Sequence, residues 1–237
     1  MINDGFYRFP HTPHLTWLGI GSPRDDKVMT AAQASSFLAA PVAVEEKVDG
    51  ANLGISLDHA GRLHAQNRGQ YLVPPYRGQF NRLSAWLSSY TEPLVATLNP
   101  GLILFGEWCA ARHSIRYDNL PGWFIAFDIY DREIGRFWSM QRRSAWCAAA
   151  GLPQAPVLLN QSCLGLRDLT ALMDGRSCSF GSELIEGVVV RRDDGNWLND
   201  RAKLVRPSFS QAIEKHWKQR DVEWNRLATE PSSCPWR

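Results

Sequence analysis

The apolar residues of this chain come in short runs, and each run hands the backbone to a charged residue. Residues 41–44 lead to Glu45-Glu46-Lys47, 102–105 lead to Gly106-Glu107, and 123–127 lead to Asp128. Glu186-Gly187 opens into residues 188–190 and then Arg191. Runs this short, bounded by glycine and aspartate, read as buried strands rather than helices. A carboxylate at the exit of such a strand is costly to bury, so Glu107 belongs at a site edge or opposite a cation. The fold expected is α+β, with mostly antiparallel sheets and helices outside. The competing doubly wound α/β reading lacks a phosphate loop of the Gly-x-x-x-x-Gly-Lys-Ser/Thr kind.

Lys47-Val48-Asp49-Gly50 joins two of these segments. Asp-Gly is a favoured two-residue turn, which would make a β-hairpin with Lys47 a solvated strand residue. The sharper reading is a lysine nucleophile presented between two strands. Lys-x-Asp-Gly arises by chance in roughly a few per cent of chains this long, so the tetrapeptide alone decides nothing.

Composition narrows the class without naming a function. At 237 residues the chain can hold one large domain or two small ones. Hydrophobic residues at 44% and charged residues at 21% are ordinary for a soluble protein. A net charge of +2 is too small to argue for nucleic acid by itself. No apolar run approaches the ~18 residues of a membrane helix, and the first residues do not resemble a signal peptide. The five cysteines, at 109, 147, 163, 178 and 234, lack zinc-finger or redox spacing, which suits reduced thiols in a cytoplasm.

In chain order, residues 1–40 read as an irregular lead-in, with Thr30 capping a short helix that ends at Leu38. His11 and His14 lie there without carboxylates or cysteines at ligand spacing, so surface or packing roles are expected. Strands are predicted over 53–57 and 62–66, and Arg68 follows the second beside a glycine. A helix is predicted over 79–89, a second from its Ser139 cap to Ala150, and a third over 166–173. The turn Asp193-Asp194-Gly195 precedes a strand over 201–206. There Arg201, Lys203 and Val205 share one face, and Ala202, Leu204 and Arg206 the other. The tail, from Ser208 to about Leu227, reads as a helix with a solvated, mixed-charge surface.

Taken in order, Lys-x-Asp-Gly, Gly-Glu after an apolar strand, Phe-Asp in the next, Glu-Gly-Val-Val-Val and a lysine strand resemble the covalent nucleotidyltransferases. These are the ATP-dependent ligases and mRNA capping enzymes. The likeness runs from about Glu45 to Arg206. Asn52, two residues after the motif glycine, stands where DNA ligases and capping enzymes usually have arginine. That residue, with Gly106-Glu107-Trp108-Cys109, is similar to the branch of phage RNA ligase 2.

The resemblance implies a nucleotide cleft between the sheets and a role for each motif. Lys47 would attack the α-phosphate of ATP to give lysyl-AMP and pyrophosphate. Backbone around Glu46 would meet adenine, with Phe127 stacked on one face and Val189 closing the other. Asn52 belongs to the nucleotide site; Arg68 and Glu107 would hold the ribose and nearby phosphate. Lys203 would contact the α-phosphate. Glu186, with Glu107, would organise Mg2+ or Mn2+ through water. AMP would pass to a 5′-phosphate RNA end, and a 3′-hydroxyl would displace it. A free lysine is neutral in only about one copy in ~2,500 at pH 7. Burial, a metal and a second cation lower its pKa, whereas carboxylates alone raise it.

The chain departs from the pattern at Val205, where a second lysine is common; Arg201 or Arg206 could substitute. About thirty residues follow Arg206, too few for an oligonucleotide-binding barrel, so the chain reads as one adenylyltransferase module. It divides into the lead-in, a motif-bearing core over 41–206 and a tail over 207–237. Such a module would grip RNA weakly, and a partner protein or second subunit could add basic surface. Arg132, Arg136, Arg142 and Arg143 are the first cluster to test, against a solvated helix flank. The alternatives are a DNA ligase or another covalent nucleotidyltransferase, and a non-enzymatic nucleotide-binding protein.

Overall fold

The computed structural model describes residues 5–21, 23, 27–212 and 222–228. Its strands are β1 (Val42–Glu46), β2 (Ala51–Leu57), β3 (Leu63–Gln66), β4 (Tyr71–Leu72), β5 (Leu102–Trp108), β6 (Phe124–Asp131), β7 (Arg136–Phe137), β8 (Val157–Ser162), β9 (Gly187–Asp194) and β10 (Trp197–Val205). They form two sheets, one in the order β10-β9-β1-β8 and one in the order β4-β3-β2-β5-β6-β7. Every pairing within them is antiparallel, as the α+β reading expects. Helices α1 (Ala31–Leu38), α2 (Leu83–Thr97), α3 (Met140–Ala149), α4 (Leu166–Met173) and α5 (Pro207–Ala212) complete the fold.

Local chemistry explains the elements that sequence placed well. The Thr30 hydroxyl accepts the Gln33 N–H, and the Gln33 side-chain Oε1 accepts the Thr30 N–H, a closed capping box at α1. Ser139 caps α3 through the Arg142 N–H. β5 is buried on both faces: Leu102 and Leu104 pack with Leu83 and Trp86 of α2, while Ile103 and Phe105 pack on Phe9. On β10, Ala202 and Leu204 enter the core of the first sheet. Arg201 and Lys203 then face the opposite way, as a period of two requires.

Five expectations need correction. The Lys47–Gly50 stretch is not a hairpin, because β1 and β2 belong to different sheets and the stretch crosses between them. The helix expected over 79–89 begins as a 3-10 turn at Gly78–Phe80; α2 then runs past Pro93 to Thr97. β8, an edge strand, had no expected counterpart: its Asn160, Gln161 and Ser162 break the apolar pattern, and its register on β1 shifts twice. The last strand starts earlier, at Trp197. Among the described residues of the tail, α5 is the helical part, while residues 222–228 run extended against 110–120.

The lead-in is more ordered than its punctuation suggests. Tyr7 stacks on Tyr130, and Phe9 sits among Phe105, Phe127 and Phe137. His14 is buried, and its neighbours Pro13 and Leu15 bond to the Lys203 backbone, so packing is its role. Among the described cysteines all are free thiols, three of them buried. Cys234, the extreme N-terminus and residues 213–221 and 229–237 lie outside the described residues.

Candidate active site

Between the sheets lies a cleft of about 430 Å³, and all nine residues implicated by the resemblance line it: Glu46, Lys47, Asn52, Arg68, Glu107, Phe127, Glu186, Val189 and Lys203. β1, β9 and β10 of the first sheet supply Glu46, Val189 and Lys203, with Glu186 immediately before β9. β2, β5 and β6 of the second supply Asn52, Glu107 and Phe127. The crossover carries Lys47 from one wall to the other.

Two glycines permit this closeness. A Cβ on Gly50 would lie 2.6 Å from the Trp108 carbonyl oxygen, and one on Gly187 would lie 2.2 Å from that of Leu204. Any side chain there would push the crossover off β5, or β9 off β10. Asp49 ties the crossover down from beneath. Its carboxylate accepts the Ser114 and Ile115 N–H groups at 2.6 and 2.9 Å, and its own N–H donates to the Tyr117 hydroxyl at 2.8 Å.

Lys47 Nζ lies 2.6 Å from Glu186 Oε2. Glu107 accepts the Gly50 N–H at 3.1 Å. Burial pulls the Lys47 amine down, but Glu186, Glu107 and Asp49 together push it above its ordinary value. Burial pushes the Glu107 carboxyl up to about 8, with Lys47 opposing and Asp49 and Glu186 reinforcing the rise. Burial also raises Glu186, against Lys47 and Lys203. Three acidic side chains, Glu186, Glu107 and Asp49, thus crowd the Lys47 amine, and burial favours the protonated forms of Glu107 and Glu186. Glu46 behaves differently: its carboxylate is held by the Ser179 N–H and hydroxyl, which oppose the upward push of burial.

A buried ionic network beneath the cleft was missed by sequence reasoning. Arg143 bonds Glu45 and the Phe127 carbonyl oxygen, Arg191 bonds Asp128 at 2.8 Å, and Arg201 bonds the other Asp128 oxygen. Glu45 and Asp128 come from different sheets, so the network fastens the two walls and fixes Phe127. The signal was present in Asp128, a carboxylate inside an apolar strand, which needed a buried cation to match. Arg143 was expected on an exposed cluster; it is fully buried, because α3 turns it inward with Met140 and Cys147. Arg136 and Arg142 stack over Trp197 instead, at 5.4 and 4.8 Å.

Of the two stand-ins for a second motif lysine, Arg201 lines the cleft and Arg206 does not. The Arg201 guanidinium also lies over Phe9 and Phe137, at 4.4 and 4.3 Å.

Two antiparallel sheets closed on a crossover lysine, with a glutamate from each wall, define the nucleotidyltransferase fold of RNA ligases. Residues 40–205 match the family model described as RNA ligase, and the chain belongs to that family. Among solved structures, the Naegleria gruberi RNA ligase with PPi is 18% identical at a TM-score of 0.61, over 89% of this chain and 65% of that one. An archaeal ATP-dependent RNA ligase is 22% identical at 0.57, over 88% of this chain and 50% of that one. A mutant of the Naegleria enzyme with ATP and Mn is 17% identical at 0.58, over 75% and 53%. The chain thus spans about half to two thirds of the length of these proteins. No curated protein sequence matches it significantly.

Proposed function

We propose that this chain carries the adenylyl-transferring site of an ATP-dependent RNA ligase, within a single module centred on residues 41–206. The observation that supports it most is Lys47, held beside Glu186 and Glu107 in a cleft with aromatic, aliphatic and cationic walls. Family membership and the ATP in a solved relative favour that substrate. Asn52, at a position where DNA ligases and capping enzymes usually have arginine, favours the phage RNA ligase 2-like branch within this reading.

In this reading adenine lies between Phe127 and Val189, near the Glu46 backbone. Lys47 Nζ, once deprotonated, forms a bond to the α-phosphorus as the bond to pyrophosphate breaks. Arg68 and Lys203 stabilise the charge that spreads over the phosphate oxygens. An oxygen of an RNA 5′-phosphate then bonds the same phosphorus, and the Nζ–phosphorus bond breaks as Nζ regains a proton. A 3′-hydroxyl finally displaces AMP and seals the strand.

The residues fit a divalent cation held through water. Glu186 and Glu107 are hard oxygen donors whose carboxyls are raised by burial, and a cation beside them would favour their charged forms. Among the described residues no three His, Cys, Asp or Glu side chains converge as a direct metal cage, which suits bridging waters. Mg2+ or Mn2+ bound there would offset the carboxylates that hold the proton on Lys47 and would stabilise phosphate charge.

No helix among the described residues is long and apolar enough to cross a membrane, and the free buried thiols suit a cytoplasmic protein. A partner protein or second subunit supplying RNA grip remains part of the proposal; Arg136 and Arg142 are the surface arginines it would extend. The test is a label-transfer gel with α-labelled ATP and a divalent metal, followed by nicked RNA or nicked DNA as acceptor. A denaturation-resistant label on Lys47 and preferential sealing of RNA support the reading. No label on the wild-type chain overturns it.

A further inference from the structure

A second groove opens beside the nucleotide cleft and shares Asn52 and Arg68 with it. Its other polar lining is Asn67, Gln70, Gln79 and His113. We infer that this groove is the subsite for the terminal nucleotide of the RNA strand that carries the 5′-phosphate. The inference rests on the proposed ligase reading and extends it to residues outside the family motifs.

Charge decides between the two polyanions that could lie here. The leaving pyrophosphate carries several negative charges and calls for several cations or a metal. The groove offers one guanidinium, Arg68, and otherwise amides and an imidazole. Burial pulls His113 below its ordinary value, against the attraction of Asp49, which leaves the ring neutral. Uncharged donors and acceptors with one cation match a nucleotide: base and ribose edges for the amides, one phosphate for Arg68.

The lining is also built in advance. His113 Nε2 lies 2.8 Å from Gln79 Oε1, so with that oxygen accepting, the ring proton sits on Nε2. The Gln79 carbonyl oxygen accepts the indole N–H of fully buried Trp108 at 2.8 Å, which fixes the 3-10 turn behind the pair. Where the groove meets the cleft, Arg68 Nε and Asn52 Oδ1 are buried with no hydrogen-bond partner among the described residues. Buried polar atoms without partners are rare and costly, and here they face the place where the 5′-phosphate must reach the AMP. An RNA 5′ end lying in the groove would bring its phosphate to both.

The test separates the three chemical steps in the full chain. Gln79→Ala removes the amide but keeps the backbone carbonyl that Trp108 needs; His113→Ala removes the other half of the pair. Lysyl-AMP formation with labelled ATP should match wild type in both, which also reports folding. Single-turnover transfer of AMP from preloaded protein to a 5′-phosphate RNA should fall about tenfold or more, with half-saturation at higher RNA concentration. Sealing of chemically pre-adenylylated RNA should weaken in the same order. Unchanged transfer in both variants overturns the subsite. So does a loss confined to lysyl-AMP formation with a raised ATP requirement, which would assign the groove to pyrophosphate. If the wild-type chain itself takes no label, the ligase reading fails first, and the variants play no part in that result.

Discussion

The Lys47 ammonium and the Glu186 carboxylate lie 2.6 Å apart, so the candidate nucleophile is paired with a group that favours its unreactive, protonated form. Burial works in the opposite direction and is outweighed by Glu186, Glu107 and Asp49. Below the amine's pKa, the neutral fraction rises tenfold per pH unit. Lysyl-AMP formation at saturating ATP and metal should therefore climb with pH through the neutral range. A flat profile from pH 6 to 9 would show that proton loss from Lys47 does not limit the step.

Glu186→Gln should split two properties of the same amine. Without the carboxylate the Lys47 pKa falls, so labelling by an uncharged amine-directed reagent at pH 8 should speed up. Lysyl-AMP formation should slow down if Glu186 also organises the metal as proposed, because the same substitution removes that oxygen. If both rates move together, Glu186 acts on Lys47 alone and has no part in metal binding.

Lys47→Arg keeps the positive charge between Glu186 and Glu107 but leaves no neutral nitrogen to attack. The variant should fold with a melting temperature within a few degrees of wild type, and no covalent adduct should form. An adduct that maps to Lys203 in this variant would move the nucleophile to β10.

Glu107 ties stability to pH. Its carboxyl is raised to about 8 in the folded protein, whereas an unfolded glutamate titrates near the ordinary value of about 4.3. The folded state then holds a proton that the unfolded state has lost. Stability from this group is full below about 4.3 and is lost as pH rises towards 8. Thermal unfolding across pH 4.5–8.5 should show that decline, and Glu107→Gln should flatten it. An unchanged slope in the variant would place the effect on other groups, Glu186 first.

The charge network beneath the cleft should behave as a buried one. Asp128 faces Arg191 and Arg201, and its side chain is 2% exposed. Asp128→Ala leaves Arg201 buried without its carboxylate and Arg191 with Glu45 alone, 3.7 Å away, so a loss of about 3–5 kcal/mol is expected from denaturant unfolding. A loss under about 1 kcal/mol would show that water reaches the arginines and pairs them.

Which parts of this were legible in the sequence follows from the range of each cause. The cleft positions of Lys47, Glu107, Glu186 and Lys203 were readable because each stands at the end of, or alternates along, an apolar strand whose period is local. Thr30 and Ser139 were readable as caps because a cap acts within three residues. The sheet to which β1 and β2 belong was not, since Asp-Gly suits a hairpin and a crossover equally. Arg143 was misplaced because its partner Glu45 lies 98 residues away, and only the packed fold joins them. β8 and the extended tail segment owe their shape to the neighbours they pair with rather than to their own pattern.

That tail segment supports the last prediction. Asn225 is buried, 3% exposed, and its side chain bonds three backbone groups of the loop after β5. Oδ1 accepts the Tyr117 N–H at 3.0 Å, and Nδ2 donates to the Cys109 and Ala111 carbonyl oxygens at 2.9 and 3.3 Å. Arg82 adds a clasp, lying between the Trp123 and Trp224 rings at 4.7 and 4.6 Å. The same loop holds Asp49 through Ser114, Ile115 and Tyr117, and Asp49 is two residues from Lys47. Asn225 thus stands one loop removed from the candidate nucleophile, where it could act as a positioning residue. Asn225→Ala leaves buried backbone groups unpaired and should cost about 1–3 kcal/mol. If positioning is its role, the rate of lysyl-AMP formation at saturating ATP should fall several-fold at a temperature where the variant is fully folded. The ATP concentration for half-saturation should barely change, because the adenine walls lie elsewhere. Asn225→Asp keeps an acceptor for Tyr117 but turns a buried carboxylate oxygen onto the Cys109 and Ala111 carbonyls, so it should be no better than Asn225→Ala. A folded Asn225→Ala protein with wild-type turnover would reduce the segment to a purely structural brace.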